Sequence, residues 1–259
     1  QEFLAAQAAL NEGDTGVLLE HAHQDQWREV VILAAGLAKK EREREELIGG
    51  LLARGDQEAK RRYQLHLLAV ACLENSVSLS PELKAQVEAR LGKLLPPKNM
   101  TDAKALASAG ELAVPYLAKY TFSKGYKANI AAACVRALFL IGDETAWLTL
   151  AQYANDPRHA VKDEFIKALP TFDATTQEGR RTLSIVYGDC RSLRLKENQL
   201  DVLSSLAHLP SLTTLVLTDC RHLRDLSVLA NLPKLEELYV PLNAVIPKAV
   251  SQRAKIYHY

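Results

Sequence analysis

The sequence has 259 residues, of which 48% are apolar and 24% are charged, and it contains 12 glycines and 10 prolines. This length and composition are typical of a folded globular protein of one or two domains, and they exclude a disulfide-stapled miniprotein and a largely disordered chain. The 32 lysines and arginines nearly balance the 31 aspartates and glutamates, so the formal net charge is +1. The charge therefore provides no global attraction to nucleic acid or to anionic lipid.

No secretory or membrane-spanning pattern is present. The longest apolar run, 30–38, is about half as long as the roughly 20 residues that a transmembrane helix needs. The chain does not open with a basic and then apolar signal sequence, and its four cysteines lie far apart. We therefore expect a cytoplasmic protein without a membrane partner. Because it opens on QEFLAAQAAL and its only methionine is Met100, we also expect it to be a piece of a longer protein.

Helical periodicity runs from the start of the chain to about residue 172. In 27–38, apolar residues recur at three- and four-residue intervals, and in 65–73 only His66 is polar. Both segments predict helices that are buried on more than one side. The segment 39–50 mixes both signs of charge at helical spacing, which predicts the solvent-exposed face of a helix.

Two later helical segments, 128–143 and 159–173, resemble each other at an offset of 31 residues. The offset pairs Ile130 with Val161, Cys134 with Phe165, Val135 with Ile166, Ala137 with Ala168, Leu138 with Leu169 and Ile141 with Phe172. A Gly-Asp step and an Asp-Pro step bound the residues between them, as in the paired helices of a HEAT-type repeat. We expect two clear units of this kind here and one or two degenerate units before them.

A sharper repeat follows, in which the pattern L-x-x-L-x-L-x-x-[N/C] occurs three times at offsets of 22 and 23 residues. Its positions are Cys190, Leu193, Leu195 and Asn198, then Leu212, Leu215, Leu217 and Cys220, then Leu235, Leu238, Val240 and Asn243. The intervening leucines also recur, with Leu200, Leu203, Leu206 and Leu209 matching Leu223, Leu226, Leu229 and Leu232. This period and consensus predict leucine-rich repeats, each with a short strand on the concave side and a turn in which the Asn or Cys bonds to the backbone.

The predicted fold is mainly α, with a helical HEAT-like solenoid followed by a short α/β leucine-rich-repeat solenoid of about three repeats. Such repeats need caps, which we expect the helices to provide at one end and 247–259 at the other. We expect three regions: a helical region over 1–98, HEAT-like helical repeats over 99–180, and leucine-rich repeats with their cap over 181–259.

The opening QEFLAAQAAL resembles the last helix of the winged-helix part of bacterial NACHT-type STAND ATPases. The segments 21–40 and 79–97 resemble the helical region that follows in that family, whose members commonly carry repeats as sensors. The resemblance covers nearly the full length and is strongest at 1–6, at 27–29 and in the repeat consensus. It implies the sensor and autoregulatory module of an NLR-like bacterial immune (anti-phage) or signalling protein, with a protein or peptide trigger captured on the repeats.

The ATPase itself is not encoded in this chain. The phosphate-loop pattern G-x-x-x-x-G-K-[ST] is missing, and the isolated Gly92-Lys93 lacks the leading glycine and the following hydroxyl residue. We therefore expect this chain to bind no cofactor and to hydrolyse no nucleotide. The resemblance implies a NACHT ATPase domain upstream of Gln1 that binds ATP or ADP with Mg²⁺. This domain would be a partner in cis. The resemblance also implies that the protein forms a homo-oligomer when it is activated.

The candidate ligand-binding residues come from the alternation along the three predicted strands, which points every second side chain to the concave face. They are Ser192, Arg194, Lys196, Thr214, Val216, Thr218, Glu237 and Tyr239, with Pro241 next in the same alternation. The resulting surface is basic at one end, neutral in the middle and acidic with an aromatic ring at the other, which favours a protein or peptide over a polyphosphate. The alternative is a solvated sheet that binds nothing. A second candidate surface on the HEAT-like helices contains Trp147, Tyr153 and Arg158, although Trp147 also suits the core.

Catalytic and metal-binding signatures are missing from the sequence. It contains no G-x-S-x-G, H-E-x-x-H or C-x-x-C motif, so we expect no enzymatic activity in this chain. His21 and His23 would point about 200° apart on a helix, so we expect no metal site there. Cys72 and Cys134 lie in apolar helical runs and suit the core, whereas Cys220 and Asn243 suit side-chain bonding to the backbone.

Other functions stay open at this stage. The chain could be a stand-alone HEAT and leucine-rich-repeat adaptor that scaffolds protein–protein interactions without an ATPase. A HEAT-like chromophore lyase would transfer pigment covalently, which we do not expect. A HEAT-like DNA glycosylase needs a basic groove with aromatic side chains, and the balanced charge and the 6% aromatic content argue against it.

Overall fold

Helices make up most of the described chain, and a parallel four-stranded sheet lies in its C-terminal part. The structure is a computed structural model and describes residues 1–76, 79–122, 125–173, 175–196, 203–209, 211–218, 220 and 226–259. The described residues form two compact units, Gln1–Leu117 and Ala118–Tyr259. The division predicted after residue 98 falls inside the first unit, and the division predicted after residue 180 falls inside the second.

The first unit is helical throughout its described part. Its helices are α1 (Glu2–Asn11), α2 (Thr15–His21), α3 (Arg28–Leu37), α4 (Glu41–Gln57), α5 (Arg62–Glu74), α6 (Pro81–Leu94), α7 (Met100–Leu106) and α8 (Val114–Leu117), with 3-10 turns at Asp25–Trp27 and Ala107–Ala113. Helix α5 contacts α3, α4, α6 and the turn Ala107–Ala113, and every residue from Leu65 to Cys72 is buried. The prediction that 27–38 and 65–73 form buried helices is therefore confirmed.

Helix α4 contains most of the mixed-charge segment, and it corrects the expectation that this segment is simply solvated. Lys40 pairs with Glu43 and Arg42 with Glu46 on the surface, as expected. Arg44, however, is only 6% exposed and donates a hydrogen bond to the carbonyl oxygen of Ala38, at the end of α3. The reason is helical geometry, because Arg44 stands three residues before the buried Leu47 and so shares the face that packs inward.

Two glycines of α4 allow a matched test of how closely this helix approaches α5. A β-carbon at Gly55 would lie 2.4 Å from Cδ2 of His66, a ring that is 3% exposed, whereas nothing lies within 4 Å of a β-carbon at Gly49. We expect Gly55→Ala to lower the free energy of unfolding by about 1–3 kcal/mol through overpacking. Gly49→Ala should raise it by about 0.5–1 kcal/mol, because alanine favours the helix. Urea denaturation measures both changes, and stabilisation by both substitutions would contradict the close approach of the two helices.

The described helices of the second unit are α9 (Ala128–Ile141), α10 (Glu144–Ala151), α11 (His159–Ala168), α12 (Gln177–Tyr187), α13 (Leu203–Leu206) and α14 (Lys248–Ser251), with 3-10 turns at Ala118–Tyr120, Leu169–Thr171 and Ser227–Asn231. Helix α9 packs against α10 and α11, and α10 packs against α12. Between α9 and α10, Gly142 adopts a left-handed conformation with φ 70°, and the Asp143 carboxylate accepts a 2.7 Å hydrogen bond from the backbone N–H of Ala146. The predicted Gly-Asp break between two helices is therefore confirmed.

The apolar pairs of the 31-residue offset lie mainly in the core of this unit. Both members are buried in four pairs: Cys134 and Phe165, Val135 and Ile166, Ala137 and Ala168, and Leu138 and Leu169. Ile130, Ile141 and Phe172 are half-buried. The equivalence seen in the sequence is thus an equivalence of packing positions on α9 and α11 and on the turn that follows α11.

The sheet contains β1 (Ser192–Lys196), β2 (Thr214–Thr218), β3 (Glu237–Val240) and β4 (Lys255–His258), all parallel and in that order. One side of it is the core face, where Leu193, Leu195, Leu215, Leu217, Leu238 and Val240 are at most 1% exposed. The intervening leucines that are described, Leu203, Leu206, Leu209, Leu226, Leu229 and Leu232, are also buried. Asn198, Leu200 and Leu223, which the repeat pattern also includes, lie outside the described residues.

Helices and a small parallel sheet confirm the mainly α fold at this coarser level. The segment expected to act only as a C-terminal cap contributes a fourth strand, because β4 pairs with β3 from Glu237 and Lys255 to Val240 and His258. Helix α14 lies in the connection that returns the chain from the end of β3 to the beginning of β4, and its Val250 is fully buried. The sheet therefore does not end at the third predicted strand.

Candidate recognition surface

The outward face of the sheet carries all eight side chains that the alternation selected. On β1, the exposed Arg194 and Lys196 alternate with the buried Leu193 and Leu195, and the corresponding residues of β2 and β3 are half-buried. Parallel register aligns them in rows across the strands. The first row is Ser192, Thr214, Glu237 and Lys255, and the second is Arg194, Val216, Tyr239 and Tyr257. We call these two rows, with Lys196 and Thr218 beyond them, the recognition surface.

Two residues of the recognition surface were missed by the sequence analysis, namely Lys255 and Tyr257 of β4. The rings of Tyr239 and Tyr257 stack with their centroids 4.5 Å apart and their planes 14° apart. This distance matches the spacing of neighbouring strands, about 4.8 Å, so the sheet itself holds the rings in contact. A signal was present, because E-L-Y-V and K-I-Y-H share the same alternation, but their offset of 18 residues departs from the period of 22 to 23.

The fourth strand also corrects the expected distribution of charge. Glu237 is not at the acidic end of the surface, because Lys255 lies beside it on β4 in direct register. The surface instead has cations on both edges, Arg194 and Lys196 on β1 and Lys255 on β4, with the Glu237 carboxylate between them. Desolvation, with the nearby Glu237 carboxylate as the next cause, raises the pKa of Tyr239, so its phenol stays neutral near pH 7.

Two other members of the surface have more limited roles. The Thr218 hydroxyl donates a 3.2 Å hydrogen bond to the carbonyl oxygen of Leu195, so its proton is used within the sheet. Val216 is half-buried and places an apolar side chain between Arg194 and Tyr239 in the second row. Pro241, the next residue in the predicted alternation, directly follows β3 and is not part of the strand. The chemically distinctive part of the surface is therefore the second row with its two tyrosines.

The second candidate surface, on the helices, is not borne out. Tyr153 is 1% exposed and lies in the core. The Trp147 ring packs against Phe172 at 5.4 Å, within a larger group of aromatic side chains. The guanidinium of Arg158 is held by Asp156, whose Oδ1 accepts a 2.8 Å hydrogen bond from Nε. The physical reason is that α10 ends at Ala151, so Tyr153 belongs to the turn that folds inward and not to an outer helical face.

The cysteines of the chain are buried and free of disulfides. Burial raises the pKa of the Cys72 and Cys134 thiols to about 12 and that of Cys190 to about 11, so all three are neutral near pH 7. The Cys220 thiol donates to the carbonyl oxygen of Thr218 at 3.2 Å, which confirms the predicted bonding of this turn residue to the backbone. Asn243, at the equivalent repeat position, is exposed in the turn after β3.

The two histidines considered as a metal pair have separate surroundings. His21 stacks on Trp27 with ring centroids 4.6 Å apart, and Nδ1 of His23 lies 3.0 Å from the carbonyl oxygen of Glu20. Nowhere in the described ranges do three His, Cys, Asp or Glu side chains gather in a way that could hold a metal ion.

Comparisons with known proteins identify no relative of this chain. No family model, curated protein or solved structure is significantly similar to this chain. The resemblance to NACHT-type ATPases therefore rests on the sequence motifs. Among the helices that the structure describes, none is both long enough and apolar enough to cross a membrane.

Proposed function

We propose that this chain is a recognition module that binds a protein or peptide on the recognition surface. The observation that carries the proposal is the second row of the sheet, in which Arg194, Val216 and the stacked Tyr239 and Tyr257 lie side by side on consecutive strands. Tyrosine and arginine are, with tryptophan, the side chains most enriched at the energetically important positions of protein–protein interfaces. A row that combines them with an apolar centre suits a peptide-sized ligand.

The charges of the recognition surface favour a ligand with acidic side chains. Three cations, Arg194, Lys196 and Lys255, stand against the single carboxylate of Glu237. The cations lie on the outer strands β1 and β4, and the tyrosines lie on β3 and β4. We therefore propose a ligand segment that places an apolar or aromatic side chain on the tyrosine pair and acidic side chains toward the strand edges.

A peptide library displayed on phage and selected on the chain tests this function. Peptides selected on the unmodified chain should bind at least about 10-fold more weakly to the Tyr239→Ala and Tyr257→Ala double variant, since truncating a central aromatic contact typically costs about 2 kcal/mol or more. The matched control is Phe3→Ala, which removes an exposed aromatic side chain of the first unit. Circular dichroism establishes that both variants fold. Selected peptides that bind the double variant as tightly as the unmodified chain would contradict the proposal.

We further propose that the recognition surface acts as the sensor of a NACHT-type STAND ATPase in a bacterial defence or signalling protein of the cytoplasm. The resemblance at 1–6 and 27–29 and the order of helices before repeats support this context. The ATPase domain in cis would hold ATP or ADP with Mg²⁺ and would form the oligomer on activation. Capture of the trigger can shift the ATPase only if the trigger binds its two states with different affinities.

The coding sequence upstream of Gln1 is the first test of this context. It should encode a phosphate loop followed by a strand with an acidic Mg²⁺-binding residue. If it does, a selected peptide should bind the ADP-locked and ATP-locked forms of the full-length protein with different affinities. Equal affinities would refute the sensor role while leaving peptide binding intact.

A stand-alone adaptor is the second candidate function. All residues of the recognition surface belong to one compact unit, Ala118–Tyr259, so we expect the adaptor to bind without a nucleotide. Peptide selection that succeeds while no phosphate loop is encoded upstream would favour the adaptor, which would scaffold protein–protein interactions through its helices and its leucine-rich repeats.

A further inference from the structure

An open pocket of about 430 Å³ lies in the first unit, between α3, α5 and α7. Arg28 contributes from the start of α3, Tyr63, Gln64 and Leu67 from α5, and Thr101 and Lys104 from α7. Its volume falls within the range of about 300–1,000 Å³ that is usual for small-molecule sites. The pocket is formed entirely within Gln1–Leu117 and shares no residue with the recognition surface.

The two charged side chains among the described lining residues of this pocket, Arg28 and Lys104, are both cations. Arg28 and Lys104 approach it from different helices, and no aspartate or glutamate is among its described lining residues. Within the part of the chain that the structure describes, neither cation forms an ion pair. The nearby Asp102 carboxylate instead accepts a 3.0 Å hydrogen bond from the backbone N–H of Lys98. Two cations without a carboxylate partner favour an anionic ligand.

The side chains that α5 contributes to the pocket are held in position by contacts with other segments. The Tyr63 hydroxyl donates a 3.1 Å hydrogen bond to the carbonyl oxygen of Asp102, which ties the ring of α5 to α7. Leu67 is buried beside it, and Nε2 of Gln64 donates to the carbonyl oxygen of His23 at 3.1 Å. Burial, followed by the nearby Asp102 carboxylate, raises the pKa of Tyr63 well above its usual value, so the phenol adds no negative charge. Tyr63 and Leu67 therefore offer an apolar surface within the same pocket that contains the two cations.

We propose that this pocket binds a small organic anion, with an aromatic or apolar body against Tyr63 and Leu67 and one phosphate or carboxylate group between Arg28 and Lys104. The proposal is independent of peptide binding on the sheet, because it uses other residues in the other compact unit. Neither the recognition surface nor the resemblance to an ATPase assigns a ligand to this pocket. The first unit would then bind a small molecule independently of the recognition surface.

Titration of the full chain with four probes tests the proposal: phenyl phosphate, benzoate, inorganic phosphate and the neutral benzyl alcohol. At least one aromatic anion should bind with a Kd of about 1 mM or tighter and shift the NMR resonance of the Arg28 side-chain Nε–H. If only phenyl phosphate binds, the ligand carries a phosphate group, and if only benzoate binds, it carries a carboxylate. Binding of both probes would indicate that the pocket accepts organic anions generally. Benzyl alcohol and inorganic phosphate should bind more weakly, since each lacks one half of the interaction.

Matched variants establish where the anion binds. Arg28→Gln and Lys104→Gln should each weaken binding by roughly 5–10-fold, because each removes a charge-assisted contact. Lys93→Gln, a change of an exposed lysine on α6 outside the pocket, should leave the affinity unchanged. Failure of both aromatic anions to bind, tighter binding of benzyl alcohol, or equal losses in all three variants would overturn the proposal. Each of these results leaves the peptide test on the sheet unaffected.

Discussion

Replacing Asp156 with alanine should lower the free energy of unfolding of the second unit by about 3 kcal/mol, because the change leaves a mostly buried guanidinium without its carboxylate partner. Asp156 is 4% exposed, and its Oδ1 accepts hydrogen bonds from the backbone N–H and from Nε of Arg158, at 3.0 and 2.8 Å. Arg158 also donates to the carbonyl oxygen of Tyr126 and lies 5.4 Å from the centre of the Phe122 ring. The carboxylate thus holds together a turn, a helix start and a preceding loop.

The matched control for this prediction is Glu144→Ala, which removes an exposed ion pair of the same unit. Glu144 and Arg181 lie 2.6 Å apart, but their side chains are 63% and 69% exposed. Water screens such a pair, so its loss should cost about 0–1 kcal/mol. Urea denaturation of both variants gives the comparison. A cost for Asp156→Ala no larger than that for Glu144→Ala would show that the Asp156–Arg158 pair does not support the turn.

Replacing Phe165 with alanine should lower the free energy of unfolding by about 3–5 kcal/mol, the cost of emptying a large buried aromatic position. Phe165 is 2% exposed and packs edge-on against Phe139 at 5.3 Å and Tyr187 at 5.5 Å. Its carbonyl oxygen also accepts a 2.7 Å hydrogen bond from the Tyr187 hydroxyl. The ring therefore joins α9, α11 and α12, and the cavity left by alanine would lie between all three helices.

Tryptophan fluorescence can follow this loss in the second unit alone. The chain has two tryptophans, so a Trp27→Phe background leaves Trp147, which packs 5.4 Å from the Phe172 ring, as the reporter. In this background Leu148→Ala is the control, because Leu148 lies on α10 and is 57% exposed. That substitution should change the free energy of unfolding by at most about 0.5 kcal/mol. Similar effects of the two substitutions would contradict the aromatic packing.

Local patterns accounted for much of the helical part. The periodicity of 27–38 and 65–73 predicted buried helices because an apolar stripe must be covered wherever a helix forms. The Gly-Asp break at Gly142 and Asp143 was also predictable from the sequence, because a left-handed glycine and a capping carboxylate act within a few residues. The burial of Arg44 was not predictable from the sequence, because it depends on the Ala38 carbonyl oxygen that α3 brings beside it.

The recognition surface also combines features that the sequence predicts with features that depend on the tertiary structure. Strict alternation in β1, β2 and β3 settled which side chains face outward, because neighbouring residues of a strand must point to opposite faces. The stacking of Tyr239 and Tyr257 was beyond any local pattern, since it requires β4 to return beside β3 across the helical turn of α14. Strand order and the pairing of Glu237 with Lys255 are contacts between distant residues, and only the folded chain brings them together.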